Sequence, residues 1–424
     1  MFLAGEIKGL DDISYRKHVK SVNKIYIEAW EQVFLKMEEK KEKESWMVLF
    51  LDRGVISRDT LGKKELAKIV QYHEGKSRDY EIYNLHDWML TIFEEKNVPS
   101  NNDMGQSYRK FIAHEMRTWS QNLKTAYESK TENELKHEMF HFEMKNMVAT
   151  ASRIVNESPL RAIFPLCKLN YVTTDMGHYV HKEDIEKVVN EIRSYDYSIF
   201  YREILFRASE TKNAILQEEV KPIFIILPCI GHRVVFWQEM VENKKTSNAR
   251  IILPMIFVGD FRRAMLNAMG AFRWELCKAV KGVAWSDPID GGLTGAYTDY
   301  ISFYKKNSQL TMEAKEKLAD LIRNSRNNYK TIFASQYVDW IEYEREGLAR
   351  LNNVEREFFV QYVPFNKTIR AKLKKLPAYE RLITRYENLQ KRAVNTTKNT
   401  FRKMLKPDGT YPPQVQNYIE FLEK

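Results

Sequence analysis

The chain reads as predominantly all-α: a multi-helix, bundle-like protein with at most a few short extended segments at its centre. Three observations carry this expectation. Gly and Pro are scarce, 16 and 12 among 424 residues, too few for the many turns of an all-β fold. Apolar residues recur at steps of three and four through most of the chain, the period of one helix face. The two most apolar segments, Pro222–Pro228 and Ile251–Val258, are long enough for buried strands but far too short to dominate the fold. With 44% apolar and 12% aromatic residues the chain can build cores, and it is not disordered in composition.

The chain's length predicts two or three units. We expect an N-terminal helical domain over 1–157, a central domain with apolar core segments over 158–290, and a C-terminal helical domain over 291–424. In order, a long helix is predicted from about Asp12 to Lys43, with Val19, Val22, Tyr26, Ala29, Val33 and Met37 on its buried side. Further helices are predicted at about 61–73 and 81–95, then a loop at Pro99–Asp103. Residues 105–128 and 132–156 read as a pair of helices. Thr131 and Glu134 fit a capping box that fixes where the second one starts.

That second helix carries His137-Glu138-Met139-Phe140-His141. Histidines at i and i+4 point the same way and can share one metal ion. The five residues resemble the HExxH signature of zinc metallopeptidases. The resemblance implies zinc on His137 and His141, with Glu138 as general base for a metal-bound water. A third donor is required; His114, Glu115 and Glu157 are the candidates. Glu134-x-x-His137 and Glu138-x-x-His141 also match the spacing of ferritin-like di-iron ligands, but that site needs a second helix and 105–128 offers no copy.

Residues 157–181 hold turn signals and read as a domain boundary. His178 and His181 are three apart, beside a predicted helix start at about 182, and read as solvent-facing; His232 reads as structural. Ile-Ile-Leu-Pro occurs twice, at 225–228 and 251–254, in the two apolar runs. Both are read as buried extended segments that stop at the Pro, which lacks a backbone donor. A helix follows, capped by Asp260, with Phe261, Met265, Ala268, Phe272, Leu276 and Ala279 on one face and Gly282 as its end.

The passage Trp285–Gly295 is rich in glycine but has no Gly-Lys-Ser/Thr, so it reads as a connector and not a P-loop. Beyond Thr294 the chain is predicted wholly helical, with an aromatic stripe at Tyr297, Tyr300, Ile301 and Tyr304. One long helix is predicted from about Met312 to Glu346, stopped by Gly347, then another at roughly 349–362. The longest helix of the basic segment starts at Pro377, and a short final helix follows Tyr411-Pro-Pro413.

Charge is the clearest pointer to a partner. The chain carries a net +10, yet residues 366–406 hold 13 Lys and Arg against Glu380 and Glu387, a net of +11. All of the excess sits in this one segment. Cations at this density attract a polyanion by releasing counterions. The expected contact residues are Lys367, Arg370, Lys372, Lys374, Lys375, Arg381, Arg385, Lys391, Arg392, Lys398, Arg402 and Lys403. Nucleic acid is the favoured partner; an anionic membrane surface or another protein is the alternative.

Cys167, Cys229 and Cys277 are far apart and form no CxxC, which disfavours a disulfide framework and fits a reducing, cytoplasmic setting. The N-terminal residues lack the apolar core of about 7–15 residues of a secretory signal. No run reaches the roughly 18 apolar residues of a membrane span. The sequence thus predicts a non-enzymatic binding or scaffold protein with no cofactor. The alternative is a zinc-dependent hydrolase built on 137–141.

Overall fold

The computed structural model describes residues 79–94, 96–97, 131–155, 178–206, 214–237 and 249–424. The helices expected near 12–43, 61–73 and 105–128, the loop at 99–103 and most of the 157–181 boundary lie outside the described residues.

In chain order the described elements begin with β1 (Ile82–Asn84), α1 (Leu85–Phe93), α2 (Glu132–Val155), β2 (His178–Tyr179) and α3 (Lys182–Tyr195). Five strands follow: β3 (Tyr201–Phe206), β4 (Ala214–Glu219), β5 (Ile223–Gly231), β6 (Val235–Trp237) and β7 (Arg250–Phe257). Then come α4 (Phe261–Lys281), α5 (Gly292–Phe303), α6 (Met312–Asn324), α7 (Tyr329–Glu342) and α8 (Asn353–Tyr362). The chain closes with α9 (Lys367–Leu373), α10 (Pro377–Thr400) and α11 (Pro413–Glu423). The protein is mostly helical, with a small sheet and a separate hairpin; the expectation of an all-α bundle is too coarse for it. Among the described residues no helix is long and apolar enough to cross a membrane.

The chain divides into two compact units, Met1–Lys187 with Pro222–Ala264, and Val188–Lys221 with Met265–Lys424.

The first unit is built on a sheet of order β1-β5-β7-β2, with β6 also pairing to β7. β1, β5 and β7 run parallel, whereas β2 and β6 are antiparallel to β7. A parallel strand covered on both faces needs apolar residues at consecutive positions, not alternate ones. That accounts for the two unbroken apolar runs: Ile223–Leu227 and Ile251–Met255 are buried throughout. On one face Ile223, Ile225, Leu227 and Ile252 pack with Leu85, Trp88 and Ile92 of α1 and with Phe140, Met144 and Met147 of α2. The β5–β7 register shifts between Leu227 and Ile230, where Pro228 cannot donate to the ladder. Both strands therefore run past the Pro at which they were expected to stop, β5 to Gly231 and β7 through Pro254 to Phe257.

The second unit is helical apart from the antiparallel hairpin β3–β4. The expected face of α4 holds: Met265, Ala268, Phe272 and Leu276 are buried, and Trp274 is buried beside them. An aromatic core follows, with Trp340 stacked on Phe365 at 4.3 Å and on Phe359 at 5.4 Å, and Phe333 stacked on Phe359 at 5.5 Å. Inner hairpin residues Ile204 and Leu216 pack with Phe401, Val415 and Ile419.

Two local expectations are corrected. The helix predicted from Met312 to Glu346 is two helices, α6 and α7. Between them Arg326 and Asn327 have φ of 51° and 59°, and the Asn328 side chain caps α7. Asn and Ser bond locally to the backbone and favour turns, which overrides an otherwise continuous apolar period. The helix predicted at 81–95 is preceded by β1, because Asn84 bonds the Asp87 amide at 2.7 Å and starts α1 only at Leu85.

Candidate functional site

The basic segment folds as α9, α10 and the turn Arg402–Met404. Pro377 occupies the first turn of α10, where its missing N–H costs nothing. Tyr379, Ile383 and Thr397 face the interior. Arg381, Arg385 and Arg392 are spaced by four and seven residues, so they share one exposed stripe on the opposite side. Glu380, Arg381, Thr384, Arg385, Asn388, Leu389 and Arg392 are among the residues that line a shallow groove, so one carboxylate shares it with the three arginines. Lys367, Lys372, Lys375, Lys391, Arg402 and Lys403 are also exposed.

Some of the expected cations, one arginine of the stripe among them, are already paired with a carboxylate. Arg385 reaches Glu357 at 2.6 Å, Lys374 reaches Glu387 at 2.7 Å and Lys398 reaches Glu423 at 2.9 Å. Exposed pairs of this kind are worth about 0–1 kcal/mol and yield readily to a stronger anion. Arg370 is a correction: it is 3% exposed, donates to Phe365 O and Gln390 Oε1, and lies 5.3 Å from the Tyr386 ring centre. It is an interior cation and offers no surface contact. Sequence cannot separate it from its neighbours, since Ile369, Arg370 and Leu373 all fall on the buried side of a seven-residue helix.

The histidine motif lies on α2. Its capping box is present: Thr131 N donates to Glu134 Oε2 at 2.8 Å, and Glu134 N donates to Thr131 Oγ1 at 3.3 Å. His137 and His141 sit one turn apart, half-buried, with Glu138 also half-buried. Among the described residues no group of three or more His, Cys, Asp or Glu could hold a metal ion. His114, Glu115 and Glu157 lie outside the described residues. His181 N and Nδ1 lie 2.9 and 3.0 Å from Asp184 Oδ2, a helix-start contact, while His232 is exposed at the end of β5.

The same helix holds a buried polar cluster that its sequence does not announce. Glu143 Oε1 accepts from Arg250 Nη1 at 2.9 Å and from Trp88 Nε1 at 2.8 Å. The Arg250 guanidinium lies 4.6 Å from the Trp88 ring centre. Arg250 is 107 positions from Glu143, and no local signal links them.

The glycine-rich passage is a connector closed on itself. The Asp287 carboxylate accepts from the amides of Ile289 and Asp290 at 2.8 and 2.9 Å, which holds its carboxyl below the usual range. Thr294 Oγ1 donates to Trp285 O at 2.6 Å. A Cβ on Gly295 would fall 1.8 Å from Asp287 O, so close backbone approach explains that glycine.

Deeper in this unit Glu355 accepts from Tyr300 Oη at 2.9 Å and from Gln336 Nε2, and Tyr297 donates to Gln336 at 2.6 Å. Burial pushes the Glu355 carboxyl above its usual range.

Residues 282–421 match a family described as Domain of unknown function (DUF8509). No curated protein and no solved structure matches the chain. The matched stretch takes in α5 to α10 and nearly all of α11, and with them the arginine stripe.

Proposed function

We propose that the protein binds a polyanion, nucleic acid before any other, through the exposed cationic face of α10 and the basic residues beside it. It acts by binding and not by bond chemistry. The supporting observation is the stripe of Arg381, Arg385 and Arg392 on one exposed helix face. At 1.5 Å per residue the stripe extends about 16 Å, roughly five phosphate steps along one strand of a duplex. Guanidinium groups suit phosphate because they donate two parallel hydrogen bonds.

The test uses the full chain and the triple variant Arg381→Gln/Arg385→Gln/Arg392→Gln. Truncation is avoided because α10 also supplies Tyr379 and Ile383 to the core. Binding of labelled duplex and single-stranded oligonucleotides is followed by anisotropy between about 50 and 200 mM salt. Loss of three phosphate contacts flattens the duplex salt slope by nearly three. Equal affinity and equal slope in the two proteins would refute the reading, as would retention on anionic vesicles with none on nucleic acid.

A metal-centred reading rests on His137 and His141, which keep the one-turn spacing of a ligand pair on α2. Elemental analysis of the purified chain against His137→Ala decides it. Stoichiometric zinc that disappears in the variant would establish the centre.

A further inference from the structure

The second unit contains a half-open cavity of about 220 Å³ between the β3–β4 hairpin, α4, α8, α10 and α11. It faces the side of α10 away from the arginine stripe, for Tyr386 and Gln390 line it. Its size is informative. A cavity near 150 Å³ takes up benzene, while drug-sized ligands fill about 300 Å³ or more. A ligand of one ring with polar substituents, or of two fused rings, fits between these limits.

The walls say more. Tyr197, Tyr201, Tyr362 and Phe421 bring aromatic surface to the space, and Tyr201 lies against Phe421 at 4.5 Å. Such walls favour a flat, aromatic occupant. The charged groups at the cavity already have partners. Lys281 meets Glu203 at 2.7 Å and Arg202 meets Glu218 at 2.7 Å. Arg273 donates to Ser198 O and, at 2.6 Å, to Tyr362 O, with Asp196 3.9 Å away. A charged ligand would compete at each cation with a carboxylate or carbonyl oxygen already in place, so charge gives it little advantage here.

Uncharged hydrogen-bonding groups remain. Gln217 and Gln361, each with a carboxamide side chain, are among the lining residues. Beside them, Tyr197 and Tyr386 share a hydrogen bond at 2.8 Å, and Gln390 Nε2 donates to Tyr197 at 3.0 Å. A carboxamide offers both a donor and an acceptor edge, matching the edge of a heterocycle that carries both.

We propose that this cavity binds a neutral, planar, hydrogen-bonding heterocycle of nucleobase class, with the ring against the tyrosines and its edge toward Gln217 and Gln361. The site is independent of the polyanion surface.

Saturation-transfer NMR and titration calorimetry with adenine, cytosine and uracil test it on the full chain. Benzoate serves as the planar anion and cyclohexanecarboxamide as the non-planar amide. Gln361→Trp fills the cavity from an exposed helix position, and Gln217→Leu removes one carboxamide; circular dichroism confirms that both fold. At least one base should bind the native chain and weaken by about tenfold or more in each variant, the loss expected when a polar edge goes unpaired. The triple arginine variant should bind that base within about twofold of the native chain, so failure of the polyanion reading leaves this result readable. The proposal is overturned if no base binds at millimolar concentration, if binding persists in both cavity variants, or if either control ligand binds as well as the bases.

Discussion

Glu344 and Arg356 form a buried ion pair, carboxylate Oε2 to guanidinium Nε at 2.8 Å, with side-chain exposures of 0% and 4%. The carboxylate also accepts the amides of Arg350 and Leu351 at 2.6 and 2.7 Å, and the Tyr379 hydroxyl. One acid thus ties the short turn Glu344–Glu346 to α8 and to α10, the helix that carries the arginine stripe. The stripe stands on a helix fixed from its inner side.

Removing the acid should loosen that support. Glu344→Gln leaves Arg356 charged and buried without a counter-ion, a situation that typically costs about 3–5 kcal/mol. We expect the second unit of Glu344→Gln to unfold at markedly lower urea concentration. Glu344→Gln/Arg356→Met, which removes both charges, should recover part of the loss. Unchanged urea midpoints in the single variant would show that the pair contributes nothing.

Glu355 is a buried acid whose protonation is linked to folding. Burial raises its folded carboxyl above the unfolded value, and the donors Asn352 N, Tyr300 Oη and Gln336 Nε2 only partly offset this. The folded state therefore binds the proton more tightly than the unfolded one. Its contribution to stability is lost as pH rises from near the ordinary carboxyl value through the raised folded value. Glu355→Gln cannot titrate, so its melting temperature relative to the native chain should rise as pH increases across that window. A difference that stays flat with pH would remove Glu355 as a titrating group.

Arg370 and Arg381 are eleven residues apart in one basic segment, and they should behave differently. Arg370→Gln takes donors away from Phe365 O and Gln390, so it should cost about 1–3 kcal/mol of stability. Arg381→Gln, at an exposed position, should change stability by under about 0.5 kcal/mol while weakening polyanion binding. Thermal melts and salt-dependent anisotropy on the two variants separate the interior cation from the surface one.

How far sequence reaches is visible in the same residues. The apolar runs 222–228 and 251–258 announce β5 and β7 because parallel strands buried on both faces need continuous apolar side chains. β1, β2 and β6 are two or three residues long and carry no period of their own; pairing with β5 or β7 makes them strands. The β3–β4 hairpin mixes charged and apolar residues, since Tyr201, Glu203 and Gln217 line a cavity while Ile204 and Leu216 face the core. Helix starts at Thr131, Asp260 and Pro377 were legible because caps are local chemistry. The partners of Glu143, Arg370 and Glu344 were not, because long-range pairing leaves no periodic trace. The cationic stripe was legible as composition, but its exposed face emerges only once Tyr379 and Ile383 fix which side of α10 is buried.

Gly295 offers a test of packing free of backbone strain. Its backbone does not require the left-handed region, yet an added methyl would fall 1.8 Å from Asp287 O. That carbonyl also accepts the Gly291 amide at 2.9 Å, so it cannot withdraw without opening the turn. Gly409 is the reverse case, with φ of 80° and nothing within 4 Å of a built Cβ. Gly409→Ala should therefore cost only the left-handed penalty of about 1–2 kcal/mol. Gly295→Ala must displace backbone, and overpacking of that kind costs about 1–3 kcal/mol or more. The turn before α5 should also lose its Asp287 amide bonds, which hydrogen exchange at Ile289 and Asp290 reads directly. A Gly295→Ala protein with native exchange at both amides and a smaller stability loss than Gly409→Ala would mean that the turn tolerates a side chain there.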